Sequence, residues 1–440
     1  MPTSIESASQ APFLDVTDPG FTFEAPEVAR ARERHWYART PVGPIVLRHA
    51  EVQELIRDPR LAQDGARYLA MHGITSGPVH DWFVPLILHR NGVDHLRLRR
   101  VVQKSFTPRV VNNLRPFMRA TAERLAERIA AEGACDFVEM FADPYPVAVM
   151  CELLGVPPQD YELFHRCSTD IGLVFSLSQG DGVRERVERG VVELYAYVDS
   201  LIARRRAAPT GDLVSRMISA HEDDARLSSE ELRNLVVALV FAGHDTTRHQ
   251  LGRAMVALCA HSEQWTALRE EPQRAGAIVE ELLRLFPTAP VIFRFATEDL
   301  EYQDTAIPAG TFVMLCVQSA HRDVRAFGPD VESSTRPPNA VRRRWSSAAV
   351  RTSASAPPPL VPSSPRRCRC SPGGSARPRG RTGRLAPPDR HLRAGVASVA
   401  VRLRFTRSGP PIALCVQTLR RMRICISRPK QSGVAWLCHS

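Results

Sequence analysis

The sequence predicts a mainly α-helical fold that includes small β sheets. Three long stretches repeat apolar residues at helical spacing, at 114–133, 188–206 and 230–260. Shorter alternating segments with Pro and Gly turns, near 42–47 and 291–315, are typical of small sheets. Because strands and helices do not alternate regularly, we expect one helical domain rather than a βαβ array.

Charge divides the 440-residue chain into two parts. Residues 331–440 hold 21 Arg and one Lys against two acidic residues, whereas residues 1–330 hold 36 basic and 45 acidic residues. The second part is rich in Arg, Pro and Ser, and it has too little apolar surface to offset the entropy of ordering. We therefore predict a folded domain over 1–330 and a disordered tail over 331–440.

Composition also indicates where the protein works. No stretch reaches the roughly 20 consecutive apolar residues that a membrane-spanning helix needs. The opening "MPTSIESASQ" lacks the basic and apolar regions of a secretion signal, and the ten cysteines have no paired spacing. These observations favour a cytoplasmic protein without a membrane span.

The segment "AGHDTT" interrupts the apolar helix predicted at 230–260. Ser228 and Glu231 have capping-box spacing at its start. Gly243 would let another group approach the backbone, and a Thr hydroxyl could bond a carbonyl one turn back. Asp245 and Thr246 could then relay protons to a bound ligand. A Thr-rich kink with Asp245 held by a neighbouring Arg explains the segment equally well.

Two further motifs carry charge. Glu281 and Arg284 in "EELLR" share one helix face, and a solvated surface ion pair is the usual explanation of such spacing. His95 and Arg99 lie one turn apart in "DHLRLRRVVQKSFTPR". Together with Arg294 in "FRFA" they could hold carboxylates or phosphates, although a capping or surface role is the commoner one for a lone histidine.

In this order the segments resemble the cytochrome P-450 family, specifically its soluble bacterial members. "HLRLRRVVQKSFTPR" is similar to the helix near the haem, "FAGHDTTRHQ" to the oxygen-binding helix, and "EELLR" to the Glu-x-x-Arg motif. The resemblance covers roughly residues 20–330. It implies a cytochrome P-450 fold, haem b, and monooxygenation of a small organic substrate with NAD(P)H-derived electrons from ferredoxin and ferredoxin reductase-type donors.

The resemblance also implies roles for individual residues. Asp245 and Thr246 would manage protons during dioxygen activation, and Gly243 would line the notch for dioxygen. Residues 64–90 would belong to the variable region that sets substrate specificity. The other implied positions are His95, Arg99 and Arg294 at the haem propionates, Glu281 and Arg284 as a buried structural pair near the haem, Phe241 and Ala242 facing substrate, and Arg97, Arg100 and Lys104 docking an acidic electron donor.

The sequence departs from the family at the iron ligand. In the family, a Cys in a Phe-Gly-x-Gly-x-His-x-Cys-x-Gly loop gives the haem its axial thiolate, roughly seventy residues after the position of Glu281. Residues 340–360 contain neither Cys nor Gly. Cys368 and Cys370 lack the preceding loop, so free thiols are favoured over a haem ligand or a Cys-x-Cys metal site. We expect a fold that is incomplete at its C-terminus.

A changed reading frame accounts for the missing loop. The third base of each codon, read with the first two bases of the next from Trp345 to Ala356, can spell Val-Phe-Gly-Gly-Gly-Pro-His-Phe-Cys-Leu-Gly. The same rule over residues 333–336 can spell Phe-Asp-Pro. The observed residues fix two of the three bases of each shifted codon. The choice among synonymous codons therefore does not easily produce these two peptide sequences by chance. The sequence therefore predicts a frame change near Val331–Ser333 and a chain that is inactive as translated.

Two other functions stay open at the level of sequence. The domain could be a pseudoenzyme that binds substrate without haem. Alternatively, the basic tail could bind nucleic acid or anionic lipid through its charge. The tail has no interleaved aromatic residues and no nucleic-acid motif, so we expect no specific nucleic-acid partner.

Overall fold

A computed structural model gives the three-dimensional structure of the chain. It describes residues 3–4, 11–18, 20–132, 134–175, 182–224, 227–303, 305–329, 331, 400–404 and 423–427. Residues 340–360, where the haem loop is expected, lie outside these residues. The two cysteines of the tail singled out above, at 368 and 370, also lie outside them.

Helices make up most of the described chain, which confirms the predicted fold class. Their bounds are α1 Pro26–Arg34, α2 His49–Leu55, α3 Gly65–Met71, α4 Pro78–Phe83, α5 Gly92–Ser105, α6 Pro108–Asn113, α7 Arg115–Glu132, α8 Pro144–Leu154, α9 Tyr161–Gly172, α10 Val183–Ala207, α11 Leu213–Asp224, α12 Ser229–Ala260, α13 Ser262–Glu270, α14 Ala275–Leu285, α15 Val317–Ala320 and α16 Val324–Phe327. A π-helical segment, Val138–Ala142, precedes α8. The helices predicted at 114–133, 188–206 and 230–260 correspond to α7, α10 and α12.

Small sheets accompany the helices, as predicted. The strands are β1 Thr3–Ser4, β2 Tyr37–Ala38, β3 Ile45–Val46, β4 Leu61–Ala62, β5 Ala134–Asp136, β6 Val291–Ala296, β7 Leu300–Tyr302, β8 Thr305–Ile307, β9 Phe312–Cys316, β10 Ala400–Arg404 and β11 Arg423–Ser427. The largest sheet has the order β2-β3-β9-β6-β4, in which β9 pairs parallel with β3 and antiparallel with β6. This sheet holds β6, and with it Arg294, inside the domain.

Two short stretches of the tail are strands. β10 pairs antiparallel with β11 and with β5 of the domain. The prediction of a disordered tail covered these residues, which the structure describes as strands. The rest of the tail lies outside the described residues.

The helix α12 lies at the centre of the larger apolar core. It packs against α8, α9, α10 and α11, and its residues Leu235 to Val240 are buried. The predicted capping box starts it: the amide of Glu231 donates to Ser228 Oγ over 3.0 Å, and the amide of Ser228 donates to Glu231 Oε2 over 2.8 Å. Among the helices of the described residues, none has the length and apolar composition needed to cross a membrane.

Candidate functional site

The Glu281–Arg284 pair is buried, so the surface ion pair considered from sequence is wrong. Both side chains lie on α14 and are about one-twentieth exposed. Arg284 Nε and Nη2 donate to the two carboxylate oxygens of Glu281 over 2.9 and 2.6 Å. The guanidinium also donates to the carbonyls of His321 and Val331 over 2.5 and 2.7 Å. This paired charge fastens α14 to His321 and Val331.

Arg294 on β6 is buried, and its charge has no ionic partner within the part of the chain that the structure describes. Its side chain is 4% exposed, and Nη1 donates to the carbonyl of Phe293 over 2.8 Å. The amide oxygen of Gln63, in the orientation that satisfies its neighbours, accepts from the same Nη1 over 2.9 Å. Among the described residues no carboxylate pairs with Arg294, and burial lowers the pKa of its guanidinium to about 10. A buried cation in this state suits an anionic group of a ligand.

Contacts through Gln63 bring Arg294 to the start of α5. The side-chain amide of Asn91, the residue before α5, donates to the carbonyl of Gln63 over 2.8 Å. His95 in the first turns of α5 is 9% exposed, and burial together with the charge of Arg99 lowers the pKa of its imidazole. The capping or surface role considered for His95 is therefore wrong, whereas its contact with haem stays a prediction.

The acid and the alcohol of α12 occupy adjacent positions in an unbroken helix. Thr246 Oγ1 donates to the carbonyl of Ala242, one turn back, over 2.6 Å. Arg248 Nη2 donates to Asp245 Oδ1 over 2.9 Å, and His249 Nδ1 lies 3.4 Å from Asp245 Oδ2. Burial raises the pKa of Asp245, but the contact with His249 and the charge of Arg248 outweigh it and lower the pKa below its ordinary value. The contact with a neighbouring Arg, which belonged to the alternative explanation of this segment, is present, and the proton-relay role stays a prediction.

Gly243 is needed where α12 meets α8. A Cβ at this position would lie 2.2 Å from Met150 Sδ and 2.7 Å from Met150 Cγ. The close approach inferred from sequence is therefore made by a methionine side chain. This packing explains the glycine on its own, and the predicted contact with dioxygen is a separate proposal.

Phe241 belongs to an aromatic group that includes part of residues 64–90. Its ring stacks on Phe175 with centroids 5.4 Å apart, and it meets the ring of Trp82 edge-on at 6.3 Å. Phe83, beside Trp82, lies 5.5 Å from Phe175. Ala242 is half-buried beside this aromatic surface. Such a surface suits an apolar or aromatic ligand.

The predicted cationic docking surface on α5 is smaller than expected. Arg97 makes a two-fold contact with Glu231 at the start of α12, over 3.2 and 2.5 Å. This arginine is therefore part of the fold rather than of a solvated face. Arg100 and Lys104 are exposed on the same helix.

Sequence reasoning missed the side chains that contact His244, the residue before Asp245. Asp143, before α8, contacts His165 on α9 and His244 on α12 over 2.5 and 3.1 Å. The motif included His244 but gave it no role. Because Asp143 and His165 lie far away in the chain and have no motif of their own, no signal in a single sequence connects them to α12.

Haem would find only part of its site in the described residues. The buried charge of Arg294, which pairs with no carboxylate of the described residues, fits a carboxylate of the porphyrin. The cysteines are less suitable: Cys151, Cys167, Cys259 and Cys316 are neutral thiols, because burial raises the pKa of each, to about 12 for the last three. Arg294 therefore fits an acidic arm of haem b, and these four buried cysteines do not supply a thiolate for its iron.

Known proteins are similar to this chain in sequence. The family described as Cytochrome P450 matches residues 161–333. Luteothin monooxygenase of Streptomyces thioluteus is 42% identical over 322 residues, which cover 73% of this chain and 79% of that protein. Erythromycin C-12 hydroxylase of Saccharopolyspora erythraea is 37% identical, over 67% of this chain and 72% of that protein.

Solved structures agree with these matches. The structure of a P450 EryK mutant in complex with erythromycin B aligns with a TM-score of 0.64 at 31% identity, over 78% of this chain and 86% of that chain. Epothilone B-bound cytochrome P450epoK, at 24% identity, shares the fold with a TM-score of 0.70 over 80% of this chain and 90% of its own. The chain belongs to the cytochrome P450 family of monooxygenases.

Proposed function

We propose that the gene encodes a haem-thiolate monooxygenase acting on a small organic substrate, and that this polypeptide is inactive because its reading frame changes near Val331–Ser333. The alternative frame from Trp345 to Ala356 carries the proposal, since it can spell a complete haem-thiolate loop. The loss of one base accounts for such a shift. The family match also ends at residue 333, where the proposed change occurs.

The first 330 residues contain the side chains that such an enzyme would use to bind the haem propionates and to move protons. His95, Arg99 and Arg294 would bind the two propionates. The buried cation of Arg294, which has no carboxylate partner among the described residues, supports this assignment. Bound haem with its thiolate would supply the chemistry that places one oxygen atom on the substrate.

Asp245 and Thr246 would handle protons beside that haem. The contacts with His249 and Arg248 lower the pKa of Asp245, so its carboxylate stays ionised while they hold and would take up a proton more readily once they open. The Thr246 hydroxyl donates to Ala242 and keeps its own oxygen as an acceptor. Arg248 holds the Asp245 carboxylate in place, and movement of this arginine would set how freely the acid exchanges protons.

The aromatic group around Phe241 supports a substrate with an apolar, flat part. Phe241 and Phe175 are part-buried and would present ring faces to such a molecule, while the fully buried Trp82 packs against Phe241. Luteothin, named in the relative from Streptomyces thioluteus, is the first compound to test.

Two proteins test the proposal: the chain as written, and a chain in which one base is inserted near codon 332 to restore the alternative frame. We expect only the restored protein, reduced and exposed to carbon monoxide, to show a thiolate-type Soret band. A restored protein with the loop Cys changed to Ser is the matched control. A thiolate-type band from the chain as written, or codons that do not spell the loop, would contradict the proposal.

The same preparations separate the other two functions. Luteothin binding by the haem-free chain as written would favour a substrate-binding module. Salt-sensitive DNA retention that disappears on deletion of 331–440 would favour a function of the tail.

A further inference from the structure

Asp143, His165 and His244, here called the Asp143 cluster, bring three metal-binding side chains together. They come from three separate elements: the turn before α8, α9 and α12. One ligand atom from each lies within 4.8 Å of the other two. Within the described residues this is the only group of three or more His, Cys, Asp or Glu side chains so close together.

Both imidazoles turn the same nitrogen toward the carboxylate. His165 Nε2 lies 2.5 Å from Asp143 Oδ2, and His244 Nε2 lies 3.1 Å from Asp143 Oδ1. The other nitrogen of His244, Nδ1, lies 2.8 Å from Ser168 Oγ. Metal-binding histidines are commonly oriented by such an outer partner, which fixes the ring and the tautomer. Here the partner comes from α9 and the ring from α12.

The cluster is buried at one end and open at the other. The side chain of His244 is 1% exposed, that of Asp143 is 18% exposed and that of His165 is 32% exposed. An ion can therefore approach past His165, and water can complete its coordination from the same side. Zinc binds imidazole nitrogen and carboxylate oxygen at about 2.0–2.2 Å, so its ligands must stand about 3 Å apart or more. His165 would move outward by a fraction of an ångström to open that space.

Other charged groups also face the cluster. Arg248 Nη1 lies 3.4 Å from Asp143 Oδ1, and Arg248 Nη2 lies 2.9 Å from Asp245 Oδ1. A cation at the cluster would repel this guanidinium, which would keep its contact with Asp245 and lose the contact with Asp143. Glu162, one turn before His165 on α9, adds negative charge from the solvent side.

We propose that the Asp143 cluster binds one divalent transition-metal ion, such as Zn²⁺ or Co²⁺, through Asp143, His165 and His244, at a site separate from that of the haem. The bound ion fastens α9 to α12 and leaves Arg248 to Asp245 alone. Two imidazoles and one carboxylate with an open position favour zinc and its neighbours over magnesium or calcium, which prefer oxygen ligands.

Cobalt titration of the untagged full-length chain tests the proposal, because Co²⁺ bound to nitrogen and oxygen ligands reports its geometry by visible absorption. We expect one Co²⁺ per chain, displaced by Zn²⁺, and a rise in Tm on metal addition. His165→Gln should weaken binding at least tenfold and abolish the rise in Tm. The matched control is His80→Gln, which removes a histidine that lies 3.3 Å from Asp81 without a third ligand. It should bind as the original chain does.

Two further measurements keep the result tied to this cluster. Thiolate ligands add sulfur-to-cobalt charge-transfer bands, so iodoacetamide treatment before titration removes binding by accessible cysteines and should leave the expected signal. Asp143→Asn, which keeps a hydrogen-bonding side chain, should also lose the signal. Absence of one-to-one binding, or binding that His165→Gln leaves unchanged, would overturn the proposal.

Discussion

Arg284 and Arg294 are close in sequence and equally buried, but their guanidinium groups have different partners. Arg284 faces both carboxylate oxygens of Glu281 and two main-chain carbonyls. Arg294 has one main-chain carbonyl and the amide of Gln63. The first charge is compensated within the chain and serves the fold. Within the described part of the chain, the second contacts only neutral groups, as a residue that binds an anionic ligand would.

Removal of the compensated arginine should have the largest effect on stability. Arg284→Met leaves the Glu281 carboxylate buried without its partner, and we expect a loss of about 3–5 kcal/mol. Urea unfolding measures the change through the shift of the midpoint. Arg269→Met, which removes an arginine from a half-exposed pair on α13, is the control and should cost less than about 1 kcal/mol. Similar losses in the two variants would show that the buried pair does not support the fold.

The surroundings of Arg284 should also make the domain sensitive to acid. His321 Nδ1 donates to the carbonyl of Arg284, and burial lowers the pKa of this imidazole from 6.5 to about 3. The unfolded chain therefore binds the additional proton first, and stability falls as pH decreases from about 6.5 to 3, by up to about 1.4 kcal/mol per pH unit. Urea midpoints measured from pH 7 to pH 4 follow this loss.

His321→Asn should reduce the acid sensitivity, since the asparagine amide can donate in place of Nδ1 and does not titrate. His80→Asn changes a histidine that is about one-third exposed, and it should leave the pH dependence as it was. Parallel pH profiles for the original chain and His321→Asn would exclude His321 as the source.

A smaller effect is expected where packing, rather than charge, decides the residue. Gly243→Ala places a methyl group against Met150 and should cost about 1–3 kcal/mol, reduced by the better helix propensity of Ala. Gly252→Ala, on the same helix, meets nothing closer than Val138 Cγ2 at 3.6 Å and should stabilise the protein by about 0.5–1 kcal/mol. Thermal unfolding of both variants gives the comparison. Equal effects would mean that Met150 moves aside without cost.

The smallest change in stability should come from the uncompensated arginine. Arg294→Met removes a buried charge that has no ionic partner among the described residues, so we expect a change of less than about 1 kcal/mol. In the frame-restored protein the same substitution should weaken haem binding about tenfold or more, because a charge-assisted contact is lost. Unfolding and haem titration measure the two effects separately. A large loss of stability with unchanged haem affinity would reverse the roles assigned to the two arginines.

Local pattern was sufficient for the parts of the fold that depend on near neighbours. The helical spacing predicted α7, α10 and α12, and the capping box of Ser228 and Glu231 is formed as expected. The contact between Thr246 and Ala242 spans a single turn and was predicted for the same reason. Such interactions are encoded in a few consecutive residues.

Contacts between distant segments were not predictable from one sequence. The spacing of Glu281 and Arg284 suggested a surface pair, because nothing nearby shows that the carbonyls of His321 and Val331 enclose the guanidinium. Gln63 beside Arg294 depends on a turn more than two hundred residues earlier in the chain. The family resemblance supplied the expected site, and the coordinates supplied the neighbours.

The hydrogen bond from Arg284 to the carbonyl of Val331 has a genetic consequence. If the reading frame changes near Val331–Ser333 as proposed, this carbonyl lies at the end of the chain that both frames share, and the scaffold before it is unchanged. A one-nucleotide repair downstream would join a new C-terminal segment to an attachment point that already exists. Revertants should therefore be easy to select, and each should recover the original fold rather than a compensating one.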